Sequence, residues 1–165
     1  MKNKLLRLLL AVGLIIPNIA TSDPATAEDD CYKMAVYYRD RGYAMTPTNY
    51  AGLGGTGNTV KYNIPVSKGL DYVFLVGRDG NARDIDIYVY DEVGNLILKD
   101  VRADSRAGVK FRSAYNGTVF AYVHLARASG LAAYAVMVGR RGNDKGEPAP
   151  GPDPGAPVPA PADGK

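Results

Sequence analysis

The 165 residues carry 20 lysines and arginines against 17 aspartates and glutamates, with one histidine, one cysteine and no tryptophan. Lys2, Lys4, Arg7 and Asp23 fall in an N-terminal leader, so the rest of the chain holds 17 basic and 16 acidic residues, a near-neutral balance that excludes an electrostatic nucleic-acid binder. A single cysteine excludes an intramolecular disulfide, and the length supports one domain rather than two sizeable cores.

Residues 1–27 have the three parts of a secretory signal peptide: a basic start, an apolar run from Leu8 to Ile16, and a small-residue exit at Ala25-Thr26-Ala27. Cleavage there would leave Glu28 first, giving a secreted or periplasmic protein with no membrane insertion afterwards. The apolar run is broken by Pro17 and Asn18 and is shorter than the ~20 residues a bilayer crossing needs. Residues 28–58 then read as a short helix over 29–42, capped by Asp29 or Asp30 and stopped by Gly42, followed by a glycine-rich loop. In that loop Gly52, Gly54 and Gly57 match G-x-G-x-x-G, but a β-type alternation follows instead of the helix a dinucleotide site requires. Cys31 falls on the apolar helix face. It can be a small buried residue or, in an exported protein, link two copies as a Cys31–Cys31 dimer.

From residue 59 to 141 strand-like runs alternate with turn chemistry, at about 59–66, 71–77, 84–91, 95–100, 107–112, 118–126 and 133–140. Asn116-Gly117 carries a two-residue hairpin signal. The expected fold is therefore all-β: a jelly-roll-like antiparallel sandwich of seven to eight strands with a short N-terminal helix. Alternation turns Ile85, Ile87 and Val89 inward, with Tyr72, Phe74, Val76, Val109, Phe111, Val119, Ala121, Val123, Tyr134, Val136 and Val138. Each large apolar side chain so buried contributes about 1.5 to 3 kcal/mol, so packing can replace a disulfide. Residues 142–165, with seven prolines from Pro148 to Pro161, have too little to bury and are expected to form a disordered tail.

The stretch from Leu70 to Arg140 resembles the bacterial pre-peptidase C-terminal domain. The residues that carry this are Gly69-Leu70-Asp71-Tyr72-Val73-Phe74, the central Asp84-Ile85-Asp86-Ile87-Tyr88-Val89-Tyr90-Asp91, Gly94-Asn95, Val109-Lys110-Phe111, Gly117-Thr118-Val119 and Tyr134-Ala135-Val136-Met137-Val138. Val119 stands where the family has tyrosine, and these 165 residues hold no protease domain ahead of the sandwich. The resemblance implies a small β-sandwich without catalytic activity, associated with substrate binding, secretion or processing.

Candidate sites are few. His124 and Cys31 are far apart in sequence, and His124 falls on an outward face, so a Cys-His nucleophile has little support. Asp79, Asp84 and Asp86, with Asp91 nearby, offer hard oxygens that could hold Ca2+ as the one candidate cofactor, or could simply cap turns and keep a strand edge soluble. Two carboxylates on one side of a strand do not flank a sugar as a glycosidase pair must. Tyr88, Tyr90, Phe120 and Tyr122 are expected to point away from the core, where they form either a contact surface or a second core beneath the helix. The expected function is a secreted or periplasmic non-catalytic module that binds an extracellular or envelope protein or polysaccharide. A structural subunit of the envelope and a carboxylate-dependent hydrolase are the alternatives.

Overall fold

The computed structural model describes residues 21–47 and 50–142; the basic and apolar parts of the leader and nearly all of the proline-rich tail lie outside them. In chain order the elements are α1 (Pro24–Arg39), β1 (Ala44–Met45), β2 (Tyr50–Gly54), β3 (Thr59–Val66), β4 (Asp71–Arg78), β5 (Ala82–Tyr90), β6 (Leu96–Asp100), β7 (Ala107–Arg112), β8 (Gly117–Ala128) and β9 (Ala132–Arg141). The strands form two antiparallel sheets. One is ordered β1-β9-β4-β7, with β2 following β1 along the same edge of β9, and the other is ordered β3-β8-β5-β6.

Between the sheets lies the core that strand alternation dictates. Ile85, Ile87 and Val89 from β5 meet Tyr72, Phe74 and Val76 from β4, with Val119, Ala121 and Val123 from β8 and Tyr134, Val136 and Val138 from β9, all buried. Tyr62 donates a hydrogen bond to the Tyr134 hydroxyl at 3.0 Å, which provides a buried phenol with a partner inside this apolar layer. Burial, above all, pushes both phenols' pKa values up.

Three expectations are corrected. The helix starts at Pro24 instead of residue 29, because Asp23 is the N-cap: its carboxylate accepts the Ala25 and Thr26 N–H groups, and Pro24 at N1 needs no partner for a missing N–H. Asp30, one of the expected caps, is instead buried inside the helix, where Arg106 and the Arg78 N–H hold it. The glycine-rich loop expected over 46–58 contains a strand, β2. Gly52 sits opposite Tyr134 in the β2–β9 ladder, and a side chain at 52 would collide with that phenol, so glycine here makes room for a ring. Asn116-Gly117 closes no hairpin, since β7 pairs with β4 and β8 with β3 and β5; the chain changes sheets at this point. Asn116 instead accepts the Lys68 N–H at 2.8 Å, tying two crossings together.

Helix α1 lies on the outer face of the first sheet, against β4 and β9. Ala27, Cys31 and Ala35 pack there on Val73, Leu75, Ala133, Ala135 and Met137, forming a second apolar layer. The helix can come this close because Gly77 lacks a side chain: a Cβ at that position would run into the backbone of Cys31 and Ala27. Cys31 is fully buried, its thiol donates to the Leu75 carbonyl at 3.5 Å, and burial pushes its pKa up to about 11. The sulfur is thus covered in the folded chain, and a Cys31-linked dimer would require α1 to lift. Among the described residues no helix is long and apolar enough to cross a membrane.

Candidate functional site

With α1 on the first sheet, the outer face of the second sheet has no helix over it among the described residues. Register places three cross-strand rows there. Thr59, His124 and Asp86 form one row; Lys61, Tyr122, Tyr88 and Lys99 the next; Asn63, Phe120, Tyr90 and Leu96 the third. The four aromatic residues singled out from the sequence are therefore brought together as a two-by-two block on β5 and β8. They are partly exposed, whereas their strand neighbours Ile87, Val89, Ala121 and Val123 are buried.

The block is ordered by its own contacts. Tyr90 and Tyr122 meet edge to face with centroids 5.4 Å apart, and the Lys61 ammonium stands 3.6 Å from the centre of the Phe120 ring. The Tyr88 hydroxyl donates to Asp86 at 3.3 Å, and the Thr59 hydroxyl and His124 Nδ1 are 2.8 Å apart. The four rings, with Thr59, His124 and Gly94 of the β5–β6 turn, line an open groove of about 520 Å³. Burial, followed by the neighbouring Asp84 charge, raises the Asp86 pKa; burial and then Asp86 raise that of Tyr88. Lys61 was not legible as a site residue: its outward direction follows from alternation, but its place over Phe120 depends on the β3–β8 register.

The aspartates do not converge. Asp79 is 1 % exposed, and its two oxygens accept four backbone N–H groups, from Asn81, Ala82, Ala133 and Asp23, at 2.9 to 3.2 Å. It ties the β4–β5 turn to β9 and to the start of α1, leaving its carboxylate committed to backbone. Asp91 likewise caps its own turn through the Val93 and Asn95 N–H groups. Among the described residues no three histidine, cysteine or carboxylate groups gather as a metal site, so the Asp79, Asp84 and Asp86 set does not fit Ca2+. Cys31 and His124 lie on opposite outer faces of the sandwich, which leaves them unable to act as a dyad.

No family model matches the chain, and no curated protein matches its sequence. Among solved structures, the fold is similar to the crystal structure of Aeromonas hydrophila PliG, a periplasmic inhibitor of g-type lysozyme. The TM-score is 0.45 and the identity 14 %, covering 61 % of this chain and 87 % of that one.

Proposed function

We propose that the chain is an exported, non-catalytic module that binds a protein partner through the open face of its second sheet. The single observation behind this reading is that the helix covers the other sheet, leaving Tyr88, Tyr90, Phe120 and Tyr122 together and uncovered. Rigid aromatic rings lose little conformational entropy on contact, and a polar rim of Lys61, Lys99, Thr59 and His124 matches the core-and-rim make-up of protein interfaces. A protein partner is favoured over a polysaccharide because the rings do not form a flat stacking platform: Tyr90 and Tyr122 stand at 85° to each other, and Lys61 occupies a face of Phe120. The absence of catalysis agrees with what the resemblance to the pre-peptidase C-terminal domain implies. Export rests on the basic and apolar N-terminal leader.

The test is capture from an envelope extract by the immobilised folded protein. Capture should be lost when the extract is treated with protease and should fall at least tenfold in Tyr88→Ala and Tyr122→Ala. Undiminished capture by both variants overturns the surface. Capture that survives proteolysis and is removed by glycan digestion assigns a polysaccharide instead.

A further inference from the structure

The expected leader exit, Ala25-Thr26-Ala27, forms the first turn of α1. Ala27 is fully buried against the first sheet, and Asp23 both caps the helix and donates its backbone N–H to Asp79 at 3.0 Å. A chain beginning at Glu28 would lack the cap, the buried Ala27 contact and one of the four donors to a carboxylate that is 1 % exposed. Four backbone N–H groups donate to the Asp79 carboxylate, and among the described residues it forms no ion pair. The Arg78 guanidinium bonds the Asp79 backbone carbonyl at 2.9 Å.

The sequence offers an earlier exit. Ala20 and Ser22 are small residues two apart, the pattern that signal peptidases read at the third and first positions before the cut. The bond after Ser22 lies six residues beyond Ile16, the end of the apolar run, and the bond after Ala27 lies eleven beyond it. We infer that the leader is cut between Ser22 and Asp23, and that the α-ammonium so released seats on the buried carboxylate of Asp79 and locks helix α1 onto the sandwich. This deepens the export reading and rests on it. In the step, the exporting cell's signal peptidase adds water across the Ser22–Asp23 peptide bond. Hydroxide goes to the Ser22 carbonyl, a proton goes to the Asp23 nitrogen, and a further proton from solvent makes the amine an ammonium. The amide that previously offered one N–H to Asp79 becomes a charged group with three. A positive group at a helix N-terminus is ordinarily unfavourable; here the Asp23 nitrogen already lies 3.0 Å from an Asp79 carboxylate oxygen.

The full chain, expressed with export and recovered outside the cytoplasm, is tested by intact mass and N-terminal sequencing. Asp23 as first residue is the expected result. A protein beginning at Glu28 overturns the placement, and one that keeps its leader overturns the export reading as well. Ser22→Leu should block cleavage, whereas Ala25→Leu, which spoils the later exit at an exposed position, should leave the product unchanged. The seat is tested by melting the chain that starts at Asp23 beside one that retains Ser22. The first should melt about 3 to 5 °C higher, and the difference should vanish in Asp79→Asn. Equal melting temperatures of the two unsubstituted chains overturn the ammonium seat even where the cut is confirmed.

Discussion

The two sheets of the sandwich share one core but have opposite outer faces. The outer face of the first is built from small and aliphatic residues, Gly77, Ala133, Ala135, Val73 and Leu75, and a helix lies close upon it. That of the second carries four large aromatic rings, two lysines, a histidine and an aspartate, with no element of the described residues on top. Side-chain size decides the difference: a helix reaches van der Waals contact only where the sheet surface is low, and an upright array of rings holds a neighbour off while offering wide contact area to something larger. One face fits a helix of this chain, and the other is the face proposed to meet a separate partner.

The most direct way to break the contrast is to raise the covered face. Gly77→Leu places atoms where the backbone of Cys31 and Ala27 now lies, and neither main chain can yield without moving the helix. A loss of about 3 kcal/mol is expected in urea or thermal unfolding. Next in size is Asp30→Ala. Asp30 joins α1 to the sandwich through a two-pronged pair with Arg106 and the Arg78 N–H, but the Arg106 side chain is 53 % exposed, so water screens the pair and about 1 to 2 kcal/mol is expected. Burial by itself would raise the Asp30 pKa, yet Arg106 and the backbone donor hold it below the ordinary carboxylate value. Because the native value is lowered, this stabilisation is present above about pH 4 and is lost as pH falls through the native pKa. Asp30→Asn should therefore flatten the acid limb of a stability-against-pH curve.

On the open face the expected effect on stability is smaller. Tyr88→Ala should cost about 1 kcal/mol or less in unfolding, the worth of a cross-strand pair, while partner capture falls at least tenfold; a large loss of stability with unchanged capture would make the rings structural. The smallest change is kinetic and needs no substitution. A thiol reagent at pH 8 should label Cys31 slowly in the native chain and rapidly in urea, because burial lifts its pKa to about 11 and the helix shields it. Fast labelling of the native protein would show that α1 lifts readily, and non-reducing electrophoresis should show a monomer.

Strand positions were largely readable because a period of two leaves a local trace. The expected runs at 59–66 and 107–112 coincide with β3 and β7, and Ile85, Ile87 and Val89 are buried as their alternation requires. The outward placement of Tyr88, Tyr90, Phe120 and Tyr122 was readable for the same reason. Gly52 was not, because a strand that makes room for a ring on its neighbour has the composition of a loop. Nor was the commitment of Asp79 to backbone donors on β9 and α1, which are distant in sequence.

By itself, then, the sequence determined the class of fold, the inward and outward side of each long strand, and a core sufficient without a disulfide, since all of these follow from alternation along a short stretch of chain. Tertiary structure alone decided which strands share a sheet, which sheet the helix covers, and hence that Cys31 is hidden and the tyrosines are open. Those outcomes depend on the pairing and heights of surfaces contributed by segments far apart in the chain, and no local pattern encodes them.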